Sequence, residues 1–136
     1  MIFTNHYTWI TMNKAILGAL AAAVAMKLFL FDFVIADGAS MEPAIKPGAV
    51  LVINRLAYGF RLPWARSYLL RWSIPEAGDI LVFYTPENQI VVKRCAGFAG
   101  RGGFIALGDN SLQSYDSRSY GPVEVDNVIG KVLGVK

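Results

Sequence analysis

The sequence is poor in the two residues that most often build catalytic and metal sites. Its 136 residues include one cysteine, Cys95, and one histidine, His6. A single cysteine cannot form an internal disulfide, so packing alone must hold the fold. His6 precedes a long apolar segment and is not expected to reach a site in the folded body. These shortages argue against a Ser/His/Asp triad, a Cys/His dyad and a histidine-rich metal centre, and we expect neither a metal nor a cofactor.

A strong excess of charge is also missing. The formal net charge is only +3, and the basic residues are spread along the chain rather than gathered into one run. Proteins that bind nucleic acid usually cluster lysine and arginine where they can follow phosphates. We therefore expect no nucleic-acid partner.

One long apolar stretch contrasts with these shortages. The chain is 54% hydrophobic, and the excess lies mostly between Ala15 and Ala36. About 20 apolar residues in a helix match the thickness of one bilayer core. We predict a short cytoplasmic segment over 1–14, a transmembrane helix over 15–35 and a lipid bilayer as a partner. Met1 and Met12 are both candidates for the first residue of the natural protein.

A cleavable signal peptide is the alternative interpretation of the same stretch. Lys14, a short apolar run and the small residues that end at Ala25 also fit such a leader. Apolar residues resume directly after Lys27 and continue almost to Ser40. This continuation favours a retained membrane anchor.

The rest of the chain, over 36–136, has the pattern of a β protein. Short runs rich in β-branched residues alternate with turns that contain glycine and proline. The candidate strands are Val50 to Asn54, Asp79 to Tyr84, Ile90 to Cys95, Gly103 to Leu107 and Val128 to Val135. We predict a mainly β fold, in which a single N-terminal transmembrane helix is followed by one small all-β domain.

Residues 56–74 form the least regular part of this domain, with aromatic residues interleaved with arginines. Aromatic and basic side chains suit the headgroup layer, so the segment could be a flap that rests on the membrane. It could equally be a short amphipathic helix whose aromatic side chains cap the β core.

Ser40 and Lys93 are the candidate catalytic residues. A serine hydroxyl is a poor nucleophile until a base removes its proton, and without a suitable histidine the candidate base is a lysine. A lysine in water has a pKa of about 10.4, so it must be desolvated before it can accept a proton near neutral pH. Lys93 follows Ile90-Val91-Val92, and in a strand its side chain can point into an apolar site against Met41.

Four segments that follow the apolar stretch resemble the bacterial type I signal peptidases, the serine/lysine proteases of family S26. The last segment is the most specific, because it combines GDN, a spaced serine, DSR and a following glycine. Only Arg94 to Leu107 separates the lysine from GDN, so the chain resembles a minimal form that lacks the second β domain of larger relatives. The segments are GASMEPAIKPG (Gly38–Gly48), AGDILVF (Ala77–Phe83), VVKRCAG (Val91–Gly97) and GDNSLQSYDSRSYGPV (Gly108–Val123).

The resemblance implies supporting roles for the fourth segment. Ser114 matches the serine that hydrogen-bonds the lysine amine and orients it toward the nucleophile. Asp116 and Arg118 match a pair that braces the site. Asp109 and Asn110 would fix the turn beneath it.

The resemblance also implies an oxyanion hole and a substrate pocket. The backbone N–H of Ser40 would help to hold the oxyanion. Many relatives have a second donor where this chain has Gly38, so backbone or water must complete the hole. A preference for small substrate residues one and three positions before the cut would follow from shallow apolar pockets. By position, these would be lined by Val34, Ala36, Met41, Ile45, Val91 and Val92.

The implied function is a membrane-bound endopeptidase that removes signal peptides from secreted preproteins. It would lie in the plasma (inner) membrane as a single-pass protein, with the catalytic domain on the outer, periplasmic side. Two alternatives stay open, namely a catalytically inactive membrane-anchored adaptor of the same fold and a Ser/Lys self-cleaving protein.

Overall fold

The computed structural model describes the backbone over residues 6–136 and the side chains over residues 11–136. The expectation for the side chain of His6 and the question of Met1 as the first residue lie outside these described residues, as do residues 1–5 of the predicted segment 1–14.

The first element is the helix α1 (His6–Phe29). By length and composition its part Thr11–Phe29 could cross a membrane, and none of that part is buried against the rest of the chain. The predicted helix over 15–35 is wrong at both ends, because α1 already begins at His6, within the predicted segment 1–14, and Phe31–Ile35 is a strand. In that strand exposed and half-buried residues alternate, which is the period of a β-strand. Its apolar composition made it look like a continuation of the helix.

The strands are β1 (Phe31–Ile35), β2 (Val50–Asn54), β3 (Gly59–Phe60), β4 (Leu70–Arg71), β5 (Ile80–Tyr84), β6 (Ile90–Gly100), β7 (Gly103–Leu107), β8 (Val123–Glu124) and β9 (Val128–Val135). Most of them join one curled antiparallel sheet of seven strands, in the order β1-β2-β9-β5-β6-β7-β8, while β3 pairs with β4. All five predicted strands are present; β5 begins at Ile80 rather than Asp79, and β6 continues to Gly100. A short helix, α2 (Ser117–Tyr120), and a 3-10 turn at Val125–Asn127 complete the domain.

The sheet is covered on both faces near its centre. On β5, Leu81 and Phe83 belong to one apolar cluster, together with Phe104 of β7. Val82, between them, belongs to a second cluster with Leu51 of β2. Neighbouring side chains of a strand point to opposite faces, so β5 has a continuous apolar run instead of an alternating one. This double burial makes β5 a rigid support for its neighbour β6.

The segment 56–74 is not helical, so its interpretation as an amphipathic helix is wrong. It holds only the two-residue pairing of β3 with β4. Tyr58 is buried in the core and Tyr68 packs against it, which satisfies part of the expected capping role. Trp64, in contrast, is 78% exposed, and Trp72 is also exposed. A resting contact of these side chains with a membrane stays a prediction.

Gly130 and Gly134 on β9 offer a matched test of the packing between β9 and β2. A Cβ atom at Gly130 would lie 2.5 Å from the backbone oxygen of Asn54, whereas a Cβ at Gly134 would meet nothing within 4 Å. Gly130→Ala should therefore lower the free energy of unfolding by about 1–3 kcal/mol through overpacking. Gly134→Ala should change it by less than about 1 kcal/mol. Denaturation followed by circular dichroism in detergent micelles measures both, and equal stabilities would contradict the packing described.

Candidate active site

Ser40 and Lys93 meet although 53 positions separate them in the chain. Ser40 lies in the turn that follows β1, and Lys93 lies on β6, directly opposite Leu81 of β5. Lys93 Nζ and Ser40 Oγ are 2.6 Å apart, within hydrogen-bond distance. A single proton can therefore pass between the hydroxyl and the amine without any movement of the backbone.

The surroundings of Lys93 favour the uncharged amine. The residue is 4% exposed, and this burial lowers the pKa of its amine below the ordinary 10.5. The positive charge of Arg118 lowers the pKa further, while the negative charge of Asp116 raises it. Among the described residues no carboxylate forms an ion pair with Lys93. An amine without a carboxylate partner gives up its proton more readily when it is buried.

Asp116 holds together the loop that surrounds the pair. Its carboxylate is fully buried and accepts hydrogen bonds from Ser114 Oγ at 2.6 Å, from Gly108 N at 2.9 Å and from Arg118 Nη2 at 2.5 Å. Burial acts to raise the pKa of Asp116, but the bonds from Arg118, Gly108 and Ser114 outweigh it and hold the pKa well below its usual range. Asp116 is therefore a buried, charged carboxylate that connects three residues of this loop, and its role as a brace stays a prediction.

Ser114 does not make the hydrogen bond expected from the resemblance. Its hydroxyl donates to Asp116, and within the described residues no hydrogen bond joins Ser114 to Lys93. The bond to a charged carboxylate is strong and fixes the hydroxyl of Ser114 beside Asp116. Ser114 still lies next to the site, because a Cβ added to Gly108 would overlap Ser114 Oγ and lie 2.6 Å from Ser40 O. Only glycine fits at position 108, between the two serines.

The turn at Asp109 and Asn110 lies against Ser40, the candidate nucleophile. The backbone N–H of Asn110 donates to Ser40 O at 3.0 Å. Asp109 accepts two hydrogen bonds from Arg94, from Nε at 2.8 Å and from Nη2 at 2.7 Å. Arg94 directly follows Lys93, so this ion pair fixes the turn to the strand that carries the candidate base.

Arg94 and Gly108 are the residues that the sequence analysis missed as parts of the site. The signals were present, since Gly108 begins the GDN segment and Arg94 stands beside the lysine. Their roles depend on contacts between distant segments, which a single sequence does not display. Cys95, the next residue of β6, is buried in the core, and burial raises the pKa of its thiol. It is thus a packing residue, as expected.

A cleft of about 150 Å³ opens beside the pair. The structure brings all of the residues predicted for the substrate pocket to its walls. Gly38 also lines it and has a φ of +80°, in the left-handed region that favours glycine. No group of three or more metal-ligating side chains suited to a metal ion occurs in the described residues. The predicted lining residues are Val34, Ala36, Met41, Ile45, Val91 and Val92.

Two unpaired strand edges face this cleft. The strand β1 ends the sheet and pairs only with β2. The strand β6 pairs with β7 only from Arg94 onward, so Ile90–Lys93 has a strand partner on one side only, within the described part of the chain. Free strand edges present backbone donors and acceptors that an extended peptide can join. The cleft is therefore suited to a peptide in strand conformation.

Comparisons with known proteins find relatives of this chain among the signal peptidases. The family model described as "Signal peptidase, peptidase S26" matches residues 9–102 and 101–135. Signal peptidase I of Bacillus caldolyticus is 24% identical, over 84% of this chain and 84% of that protein. Signal peptidase I of Haemophilus influenzae is 32% identical over 82% of this chain, and that of Pseudomonas aeruginosa is 31% identical over 65%. This chain spans only 31% and 32% of the length of the latter two.

Replacing the buried carboxylate tests its bracing role. Asp116→Asn should lower the free energy of unfolding at pH 7 by about 3 kcal/mol, because it leaves Arg118 and buried donors without a charged partner. The folded-state pKa of Asp116 is depressed, so its contribution is present above the unfolded pKa and is lost as the pH falls through the folded-state pKa. The difference between wild type and variant should therefore shrink below about pH 4.

The matched control is Asp126→Asn, which removes an exposed carboxylate paired with Arg71 at 3.2 Å. An exposed ion pair contributes less than about 1 kcal/mol, so this variant should resemble the wild type. Urea denaturation across pH 3 to 7 measures all three proteins. Equal losses in both variants would show that Asp116 is not a special brace.

Proposed function

This chain belongs to the signal peptidase family, peptidase S26, and on that basis we propose that it is a membrane-bound endopeptidase that removes N-terminal signal peptides from exported preproteins. Ser40 is the nucleophile and Lys93 the general base. The observation that carries the proposal is the 2.6 Å separation of Ser40 Oγ from the buried Lys93 Nζ. The named relatives are signal peptidases, which supports the choice of substrate.

The reaction uses one proton acceptor twice. The neutral amine of Lys93 takes the proton of Ser40 while Oγ attacks the scissile carbonyl carbon. The ammonium that results gives this proton to the leaving amine, the peptide bond breaks, and an ester links the substrate to Ser40. A water molecule then attacks the ester, and Lys93 accepts a proton from that water. Release of the carboxylate product returns the proton to Ser40 Oγ and restores the starting state.

The negative oxygen that develops on the carbonyl needs a hydrogen-bond donor. The backbone N–H of Ser40 donates to no acceptor within the described residues, which leaves it free for this role. This N–H belongs to the peptide unit between Ala39 and Ser40, and the carbonyl of that unit accepts a hydrogen bond from Glu42 N at 3.2 Å, which fixes its orientation. A donor that is already oriented stabilises the oxyanion without any cost of reorganisation.

The cleft accounts for the kind of substrate. An extended segment that precedes the cut would pair with the free edges of β1 and β6. In that conformation alternate side chains point into the cleft. Its apolar walls and volume of about 150 Å³ favour small side chains one and three positions before the cut.

Membrane attachment would place this cleft near the substrate. In this proposal α1 spans the plasma (inner) membrane, and the β domain lies on its outer side. The chain from Phe29 to Ser40 reaches at most about 4 nm when fully extended. A preprotein that is itself held in the bilayer by its signal segment would meet the nucleophile at that height.

Loss of either catalytic residue should abolish cleavage. Ser40→Ala removes the nucleophile and Lys93→Ala removes the base, so each should reduce kcat/KM at least about a thousandfold. The measurement follows a purified preprotein with a small-x-small site in detergent micelles, by mass spectrometry of the products. The controls Ser111→Ala and Lys46→Ala change exposed residues and should retain wild-type activity. Full activity of Ser40→Ala would refute the proposed nucleophile.

The pH dependence of cleavage should report the buried amine. The active form is the neutral one, so kcat/KM should rise with pH and level off above the pKa of Lys93, which burial lowers from 10.5. Lys93→Arg should be inactive across the range, because a guanidinium keeps its proton. A rising limb with an ordinary lysine pKa near 10.5 would contradict a desolvated base.

A further inference from the structure

A second cavity, of about 210 Å³, lies next to the catalytic cleft and shares Val34 and Ile90 with it. Its walls differ in chemistry from those of the cleft, because they include the two arginines Arg55 and Arg61. The proposed reaction assigns no role to this second cavity. Its continuity with the cleft means that a peptide bound along β1 and β6 would pass it.

Arg61 has an unbalanced charge. The residue is 5% exposed, and its guanidinium donates to two backbone oxygens, Val128 O at 2.9 Å and Ala65 O at 2.5 Å. Its Nε is buried and has no hydrogen-bond partner in the described residues. No carboxylate there forms an ion pair with Arg61. A buried cation without an anion is costly, so an anion that entered the second cavity would be stabilised.

The one carboxylate in the second cavity is already engaged. Asp32 accepts a hydrogen bond from Arg55 at 3.1 Å, and both side chains are partly buried. The second cavity therefore has two guanidinium groups and one carboxylate, which leaves an excess of one positive charge. Arg66, which lies over the ring of Tyr84, adds to the positive surroundings of Arg61.

The position of the second cavity indicates which part of a substrate would reach it. Along β6, Ile90 is three residues from Lys93, or about 10 Å at strand rise. Asp32 is the second residue of β1, so it lies near the end of that strand that is closer to α1. A substrate held in the bilayer by its signal segment leads back toward that end. The residues that precede the cut would therefore cross the second cavity, beyond the two small residues.

We propose that the second cavity is a substrate subsite that takes an acidic side chain, Asp or Glu, about four to six residues before the scissile bond. Arg61 and Arg55 recognise its carboxylate. They select the substrate and take no part in the chemistry. This proposal rests on the proposed function, since it places the signal peptide along β1 and β6.

The test uses preproteins that differ at one position only. Asp, Ala or Lys is placed at the fourth, fifth or sixth position before a small-x-small site, and kcat/KM is measured for the full-length chain in micelles without anionic lipid. At one of these positions the Asp substrate should be cleaved about tenfold faster than the Ala substrate, and the Lys substrate more slowly than both. Equal rates for Asp and Ala at every position would overturn the subsite. If no preprotein is cleaved at all, the proposed function fails and the subsite falls with it.

Variants assign the preference to the second cavity. Arg61→Gln should bring the ratio of the Asp to the Ala rate close to one. If Arg61→Gln does not fold, two other variants of the second cavity replace it. Arg55→Gln should lower the ratio of the Asp to the Ala rate, and Asp32→Asn should raise it. Arg101→Gln removes a charge of the same kind from the exposed β6–β7 turn and should keep the wild-type ratio. An unchanged ratio in both Arg55→Gln and Asp32→Asn would overturn the proposal.

A lipid phosphate is the competing occupant of the second cavity. Vesicles that contain phosphatidylglycerol distinguish the two, because a lipid site would accelerate or slow the Asp, Ala and Lys substrates equally. A lipid effect of that kind which Arg61→Gln abolishes, without any preference for Asp, would overturn the subsite. A preference for Asp that persists in both lipid-free micelles and vesicles would support it.

Discussion

The candidate site depends on the desolvation of one amine, that of Lys93. A lysine in water holds its proton near neutral pH, and only burial without a carboxylate partner makes the neutral form accessible. Lys93 meets both conditions, since it is 4% exposed and has no ion pair within the described residues. Asp116, whose negative charge raises the pKa of Lys93, forms its ion pair with Arg118 instead. The burial of Lys93 and the positive charge of Arg118 act in the opposite direction and favour the neutral amine.

This arrangement explains why so much of the loop around the site is polar and fixed. Asp116 connects Ser114, Gly108 and Arg118, and the Arg94–Asp109 ion pair connects the same loop to β6. Each bond restrains the loop without adding a hydrogen-bond partner to Lys93. The apolar walls of the cleft keep water from the amine of Lys93, and the hydrogen-bonded loop fixes the positions of the polar groups around it.

The sequence predicted the parts of this structure that depend on local pattern. The strands Val50–Asn54, Gly103–Leu107 and Val128–Val135 have the predicted bounds, because β-branched runs end at turn residues. The six pocket residues converge because β1, the turn that follows it and β6 flank one cleft. The end of α1 was missed because Phe31–Ile35 is apolar enough to continue a helix. The partner of Ser114 was missed because the position of its hydroxyl depends on the three-dimensional path of the loop, which places it against Asp116.

The joint between α1 and β1 is one residue long. Leu30 alone separates them, its carbonyl accepts a hydrogen bond from Arg55 N, and Phe29 stacks on Phe60 of β3 at 5.8 Å. Such a stiff joint lets little rotation occur between the anchor and the strand that lines the cleft. Bilayers differ in thickness, and a membrane-spanning helix that is too long for a bilayer tilts within it. If α1 spans a membrane as proposed, a tilt of the helix would move the cleft with it, so bilayer thickness would change the height and angle of the cleft above the lipid surface.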